Sequence, residues 1–291
     1  MSLVVDIIIS GVISGSIYAL LAIGFSLIFG VARIVNIAHT AFYMVAAYCI
    51  YAITNYLGWP VVPAMFIAVI FSVILGMVTY KLLLNPIREH EGAVLIATIA
   101  IAMIFEQIMS LIFTGTFLSV PKLVEGFFAV LGVKIFYQQL LTLCAALAIM
   151  LVLLLFLFKT KFGLAIRSTA QDREVANLMG INESYVAMIT MGISVGLAAV
   201  TGAIVVPLTI LEPHMWNPPL IMMMAVVVLG GLGSLKGSFV GAFILGFAEA
   251  FVVFVFPMGA FFKGSVALSI MILVLIIRPE GLFGVYFEEE R

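Results

Sequence analysis

Long apolar runs separated by short polar breaks occupy most of the chain. A membrane core about 30 Å thick is crossed by an α-helix of about 20 apolar residues. Nine runs are candidate crossings: residues 3–31, 36–57, 61–84, 93–113, 137–158, 186–211, 220–233, 239–257 and 264–277. The ten-residue segments of alternating polarity that a membrane β-barrel requires are missing from the sequence. The pattern predicts an all-α polytopic bundle of about nine spans, formed as one transmembrane domain over residues 1–291.

Two of these runs leave the number of spans open. Residues 220–233 and 264–277 contain about 14 residues each, which is short for a full crossing, so eight spans is the alternative. No basic n-region precedes the first run, and no small-residue cleavage site followed by polar sequence comes after it. We therefore expect the first run to be a retained span rather than a signal peptide.

Composition supports a membrane protein and excludes other classes. The chain is 65% hydrophobic and 9% charged, whereas soluble domains are about 25% charged. A net charge of −1 provides no basic excess for binding nucleic acid. Cys49 and Cys144 lie in separate apolar runs, so we expect neither a disulfide framework nor a metal site.

The positions of lysine and arginine predict the direction of the chain, because cytoplasmic loops carry an excess of both. With nine alternating spans and the N-terminus outside, ten of the 13 basic residues fall inside and three fall outside. The N-terminus is therefore predicted outside and the C-terminus inside. The inside residues are Arg33, Lys81, Arg88, Lys159, Lys161, Arg167, Arg173, Lys236, Arg278 and Arg291, and the outside residues are Lys122, Lys134 and Lys263.

The external loop 114–136 is long enough to have structure of its own. Its apolar stretch 127–131, followed by Gly132, is typical of a packed loop or short hairpin. The internal segment 159–185 is also long, and its stretch 170–179 contains neither Pro nor Gly, which predicts a short helix.

Capping residues predict the boundaries of this internal helix. Ser168 and Gln171 fit a capping box at its start. Gly180 stands where a left-handed residue ends a helix, and Asn182 can cap the span that follows. Val175, Ala176, Leu178 and Met179 offer apolar surface. The helix is either a solvated connector or a docking element for a cytoplasmic partner.

Four polar residues lie at or inside predicted spans, where such groups normally face the bundle or a water-filled path. Asn36 and His39 could line the inner mouth. Alternatively, Asn36 is the N-cap of the second span and His39 its third helical residue. Glu106 and Glu249 are either proton-coupling groups or hydrogen-bonded structural groups.

Glycine patterns indicate close helix packing and exclude a nucleotide site. The stretch 230–234 is glycine-rich, but Lys236 precedes Gly237 and the phosphate-loop spacing is missing. Spacings of the G-x-x-x-G type let helix backbones approach closely. The candidate packing residues are Gly11, Gly15, Gly24, Gly30, Gly192, Gly196, Gly230, Gly231, Gly233, Gly237 and Gly241.

Four stretches resemble known transporter sequences. Residues 163–181 resemble the coupling-loop motif of ATP-binding-cassette (ABC) importer permeases, with the match on Ala176, Gly180 and Ile181. Residues 15–48, 228–246 and 278–284 resemble the Liv-type branched-chain amino acid permeases, and the first of these is closer to the H-type subunit. Thr40 and Ala46 stand where that family usually has Gly.

The resemblance implies the permease subunit of an ABC importer in a prokaryotic plasma or inner membrane, for branched-chain or related amino acids. It implies no enzyme activity and no cofactor in this chain, since ATP would be bound by two separate ATPase subunits. The other implied partners are a second permease subunit, related or identical, and an extracytoplasmic solute-binding protein. The implied ATPase-coupling residues are Arg167, Ala170, Glu174, Ala176, Leu178, Met179 and Gly180.

Other functions compete with this interpretation. A proton- or ion-coupled secondary transporter would use Glu106 or Glu249, and a channel would need no ATPase. A membrane enzyme is disfavoured, because no catalytic motif is present in the sequence. In the external loop 212–219, His214 and Trp216 either anchor at the membrane interface or contact an external binding protein.

Overall fold

The computed structural model describes residues 2–130 and 133–284, and within them every predicted apolar run forms a helix. Leu131, Gly132 and Arg291, which entered the loop and charge predictions, lie outside the described residues. The helices are α1 Ser2–Ala32, α2 His39–Tyr56, α3 Val61–Thr79, α4 Glu91–Phe113, α5 Tyr137–Lys159, α6 Lys161–Gln171, α7 Arg173–Leu178, α8 Glu183–Val205, α9 Asn217–Gly230, α10 Leu235–Val255 and α11 Lys263–Ile277. Shorter helical turns cover Tyr80–Leu84, Asn85–Ile87, Val206–Leu208 and Gly259–Phe262.

The external loop contains an antiparallel hairpin, as its apolar stretch predicts. Strands β1 Phe127–Val130 and β2 Val133–Phe136 pair with Phe127 opposite Phe136. A backbone bridge between Leu118 and Leu211 joins the start of this loop to the segment after α8. The hairpin therefore lies at the same end of the bundle as the loop 212–219.

Seven of the described helical segments are long and apolar enough to cross a membrane. The predicted helical membrane bundle is confirmed, whereas the nine crossings and the direction of the termini remain predictions. Helix α2 carries many polar side chains and falls outside the seven. Helix α9 has 14 residues and extends for only about 21 Å at 1.5 Å per residue.

Burial separates central helices from peripheral ones. In the segment Glu183–Leu208, which contains α8, 78% of the most apolar 18 residues are buried, but in Gly259–Ile277, which contains α11, only 6% are buried. Helices α1, α2 and α8 form the centre, together with α9 and the inner face of α10. Helices α3, α4, α5 and α11 turn large apolar side chains such as Phe66, Leu111 and Ile277 outwards, as expected of surfaces that face lipid.

Helices α1 and α10 pack antiparallel at very short range. Gly11 lies beside Phe247, Gly15 lies beside Phe243, and the hydroxyls of Ser26 and Ser238 are 2.5 Å apart. Backbone contact is possible here because glycine has no side chain to separate the helices. Because these contacts extend from Gly11 to Ser26 along α1, α1 and α10 form one closely packed pair.

Candidate coupling and translocation sites

The internal segment folds as two helices rather than one. Asp172 has an extended backbone with φ −153° and divides α6 from α7. Its Oδ1 accepts a hydrogen bond from the Val175 N–H at 3.0 Å, so Asp172 is the N-cap of α7. The predicted continuous helix from Ala170 to Met179 is therefore wrong, because the Asp172 side chain gives the backbone an alternative partner.

The predicted capping box at Ser168 and Gln171 is also wrong. Helix α6 begins much earlier, directly after α5, and Thr160 is its N-cap: its hydroxyl accepts a hydrogen bond from the Gly163 N–H at 3.0 Å. The two predicted caps beyond α7 are confirmed. Gly180 has φ +84°, and the Asn182 side chain accepts a hydrogen bond from the Tyr185 N–H at 3.0 Å.

Helix α7 presents three apolar side chains to the surroundings. Leu178 is 86% exposed and Met179 is 79% exposed, and Val175 is also exposed. We call Val175, Leu178 and Met179 the α7 patch. Ala176 does not belong to it, contrary to the prediction, because it is only 3% exposed and faces the bundle. Large exposed apolar groups clustered on one short helix are typical of a surface that binds another protein.

Hydrogen bonds tie this patch to the spans. The Arg173 Nε donates to the Val31 carbonyl at 2.9 Å, which joins the start of α7 to the end of α1. Arg88 pairs with Glu183 at 2.6 Å and donates to the Ser184 hydroxyl at 3.2 Å, joining the turn after α3 to the start of α8. A displacement of α7 would therefore be transmitted to the end of α1 through Arg173.

The charges at this end of the bundle lie close enough to perturb one another. Burial lowers the pKa of Arg88, but its hydrogen bond and ion pair with Glu183 outweigh burial, and the pKa is raised. Burial also lowers the pKa of Arg173. The positive charges of Arg88 and Arg33 lower this pKa further, and the negative charge of Glu183 raises it only in part, so the pKa of Arg173 remains lowered. Glu183 is the common counter-charge of a basic cluster.

Three further predicted coupling residues lie on α6 and α7. The Arg167 Nε donates back to the Leu157 carbonyl at 3.1 Å, and its guanidinium lies 4.9 Å from the ring centroid of Phe158. Ala170 lines an open pocket of about 630 Å³ next to Gly30 and Gly233. Glu174 is exposed on α7. Arg167 therefore stabilises the α5–α6 corner through contacts within its own chain.

Asn36 and His39 are buried at the junction of α1 and α2, and both contact α8. The Asn36 amide donates to the Met191 sulfur at 3.6 Å, and His39 Nδ1 is 3.2 Å from the Ser194 hydroxyl. Helix α2 begins at His39, and its N-cap residue is Ala38. The alternatives in which Asn36 caps this helix and His39 is its third residue are therefore wrong. The reason is that chain 33–38 is irregular, with Arg33 at φ +54°.

Glu249 lies in the C-terminal half of α10 and has two partners on other helices. Its carboxylate accepts a hydrogen bond from the Tyr18 hydroxyl at 2.5 Å and pairs with the Lys263 ammonium at 2.6 Å. Tyr18 belongs to α1 and Lys263 begins α11, so the carboxylate joins three helices. These contacts favour the interpretation of Glu249 as a hydrogen-bonded structural group over its interpretation as a proton-coupling group.

Glu106 is also paired, in the C-terminal half of α4. The Trp216 indole N–H donates to it at 2.6 Å, and His214 Nδ1 lies 2.9 Å from its other oxygen. Trp216 is buried, so its predicted role as an interfacial anchor is wrong. Sequence reasoning missed both networks, because Glu106 and Trp216 are 110 positions apart and no periodicity relates them.

Removing Lys263 is expected to destabilise the protein more than removing the Glu249 charge. Lys263→Met leaves a buried carboxylate without its cation, whereas Glu249→Gln keeps an acceptor for Tyr18. We expect a difference of about 1–3 kcal/mol in the free energy of unfolding. Thermal unfolding of the full chain in detergent measures this difference in stability. The control is Lys161→Met, which replaces an exposed lysine. Equal losses for Lys263→Met and Lys161→Met would contradict the pairing.

Comparison with known proteins identifies the family. The family model described as "Branched-chain amino acid transport system / permease component" matches residues 7–277. The chain is 32% identical to the high-affinity branched-chain amino acid transport system permease protein BraD of Pseudomonas aeruginosa, covering 95% of this chain and 94% of BraD. It is 30% identical to the corresponding permease protein LivH of Escherichia coli K12, covering 94% of each chain.

A solved structure supports the fold independently. A chain of PsaBC from Streptococcus pneumoniae, determined in complex with Fab, is similar with a TM-score of 0.52 and 16% identity, covering 93% of this chain and 91% of that one. The match over nearly the whole chain agrees with the helical membrane bundle described above. The protein therefore belongs to the family of permease components of branched-chain amino acid transport systems.

Proposed function

We propose that this chain is the transmembrane permease subunit of an ATP-driven importer for branched-chain or related amino acids. The α7 patch is the observation that carries this proposal. It is an exposed apolar surface, and Arg173 at the start of its helix donates a hydrogen bond to the end of α1. The relatives BraD and LivH of this chain are named as permease proteins of high-affinity branched-chain amino acid transport systems. Their names support branched-chain amino acids as the substrate class.

The proposed complex has several other subunits. Two cytoplasmic ATPase subunits bind the ATP and receive α7 in a groove, in the manner of an amphipathic helix entering a partner protein. A second permease subunit, related or identical, completes the path, and an extracytoplasmic solute-binding protein delivers the amino acid. The chain has no role as an enzyme, and no cofactor of its own is proposed. Asn36, His39, Glu106 and Glu249 remain candidates for residues near the path.

The proposed topology has nine crossings in a prokaryotic plasma or inner membrane, with the N-terminus outside and the C-terminus inside. The distribution of charge supports this direction. Arg33, Arg88 and Arg173 lie together at the end of the bundle that carries α7, and an excess of arginine marks the cytoplasmic side. Lys122 and Lys134 lie at the opposite end, in the hairpin loop.

A secondary transporter is less well supported. Its coupling would require an acid free to bind and release a proton in the path. Glu106 and Glu249 each have two partners in the structure, one a cationic or imidazole nitrogen and the other a hydrogen-bond donor. Both acids therefore serve structure more readily than proton transfer.

Uptake in reconstituted vesicles tests the energy source. With its ATPase subunits, second permease and binding protein, the transporter is expected to accumulate labelled leucine when ATP is supplied. A non-hydrolysable ATP analogue should abolish uptake, and an imposed proton gradient without ATP should drive none. Isoleucine and valine should compete with leucine. Proton-driven uptake that disappears on Glu249→Gln would overturn the proposal.

Single-cysteine labelling tests the topology. In a background with Cys49→Ala and Cys144→Ala, a cysteine replacing Ala129 in the hairpin should react with an impermeant maleimide from outside intact cells. A cysteine replacing Gln171, at the end of α6, should react only after the membrane is opened. Both positions are exposed, so burial within the protein would block neither reaction. Labelling of both from the same side would contradict the proposed orientation.

A further inference from the structure

One face of the outer hairpin carries charge and aromatic surface that the proposed coupling mechanism does not use. The strand pairing brings Phe127 and Phe136 together, with ring centroids 6.0 Å apart, and sets Lys134 opposite Ala129 on the same face. Lys122 reaches this face from the preceding segment. We call Lys122, Phe127, Lys134 and Phe136 the hairpin face, and all four side chains are exposed.

The two lysines of the hairpin face are positioned by rings rather than by acids. The Lys122 ammonium lies 5.4 Å from the centroid of Phe136, and the Lys134 ammonium lies 5.0 Å from the centroid of Phe127. Within residues 2–130 and 133–284, no carboxylate lies within ion-pair distance of either lysine. Cation–π contacts orient an ammonium but leave its charge available to an external anion.

A cavity adjoins this face and contains another group that can donate a hydrogen bond. The cavity has a volume of about 690 Å³, and its lining includes Lys122, Glu125, Phe127, Phe136 and Gln138. Gln138 is buried, and its Oε1 accepts hydrogen bonds from the N–H groups of Leu123 and Val124. Its Nε2 has no acceptor in the described part of the chain, although buried donors are normally paired.

Three groups at this surface are donors without a hydrogen-bond acceptor or ion pair in the described residues: the two ammonium groups and the Gln138 amide N–H. Glu125 contributes one carboxylate to the same lining, so the two lysines leave the surface with net positive charge. We propose that the hairpin face and its cavity dock a carboxylate-bearing surface of the extracytoplasmic solute-binding protein. A carboxylate accepts several hydrogen bonds at once and complements two ammonium groups. The flanking phenylalanine rings would give the contact an apolar centre, as is usual in protein interfaces. This inference rests on the proposed importer function and orientation.

Membrane phospholipid is the competing occupant. Lysines beside aromatic rings also occur at the level of lipid headgroups, where the ammonium binds phosphate. The cavity favours the protein partner, because the buried amide of Gln138 is among its lining residues and the surface is a recess rather than flat. The two occupants predict different results when binding protein is titrated.

The test measures the half-saturating concentration of binding protein in ATP-dependent leucine uptake by the reconstituted wild-type transporter. The variant Lys122→Glu with Lys134→Glu should raise this concentration at least tenfold and leave the maximal rate within twofold. The neutral double variant Lys122→Met with Lys134→Met should raise the half-saturating concentration by a smaller factor. In this variant the half-saturating concentration should lose most of its dependence on salt. The control Lys161→Glu, which changes an exposed lysine at the other end of the bundle, should leave it unchanged.

The outcomes separate this inference from the proposed function. If wild-type uptake depends on ATP and binding protein but the hairpin variants titrate like wild type, the docking inference is wrong and the importer stands. An effect that depends on anionic lipid in the vesicles, with unchanged half-saturation, assigns the face to the membrane and also overturns the inference. Failure of wild type to import with ATP rejects the proposed function. Melting temperatures confirm that each variant is folded.

Discussion

Replacing Leu178 and Met179 by glutamate is expected to stop ATP-driven import without preventing insertion of the chain into the membrane. Both side chains are almost fully exposed, so the permease gains little stability from them. In a groove on an ATPase subunit, each would contribute about 1.5–3 kcal/mol through burial. Loss of both corresponds to a weakening of ATPase binding by at least about 100-fold, since 1.4 kcal/mol is tenfold.

Co-purification of the ATPase subunits and leucine uptake, measured on the same preparation, check this expectation. The control is Gln171→Glu, which adds a negative charge to the same exposed segment but outside the α7 patch. The control should keep both ATPase binding and uptake near wild type. If the double variant binds ATPase and imports normally, helix α7 is only a connector, and the main structural support for the proposed function is lost.

Substitution of Gly246 is expected to have the largest effect on stability. A Cβ atom at this position would lie 2.7 Å from the Gly15 Cα and 2.8 Å from the Gly11 carbonyl oxygen, both in the backbone of α1. Backbone atoms cannot rotate away as a side chain can, so α1 and α10 must separate. Overpacking of this kind costs about 1–3 kcal/mol or more. Gly246→Ala should lower the melting temperature, and Gly246→Leu should abolish folded protein.

The matched control is Gly264→Ala, in α11. No atom lies within 4 Å of a Cβ placed there, and alanine is favoured over glycine in a helix by up to about 1 kcal/mol. This variant should be neutral or slightly stabilising. Fluorescence-detected size-exclusion chromatography after heating measures all three variants. Equal melting temperatures for Gly246→Ala and Gly264→Ala would show that α1 and α10 do not touch as described.

The G-x-x-x-G spacings are visible in the sequence, but they do not include Gly246, which has no glycine four positions away on either side. Its importance comes from Gly11 and Gly15, more than 200 positions earlier in the chain. The burial of Ala176 is likewise decided by contacts between distant parts of the chain. Its neighbours Val175 and Leu178 are exposed, and the choice of buried face on such a short helix depends on where α6 and α8 place it.

The sequence by itself determined the helical elements and the local ends of several of them. Apolar runs long enough to cross lipid can satisfy their backbone groups only as helices, and the left-handed turn at Gly180 depends on a residue without Cβ. Tertiary structure alone decided the partners of the buried charges. Glu249 meets Lys263 and Tyr18, and Glu106 meets Trp216 and His214, because antiparallel packing brings distant helix ends together. Residue spacing along the chain predicts neighbours within one helix, but contacts between helices depend on how the whole bundle packs.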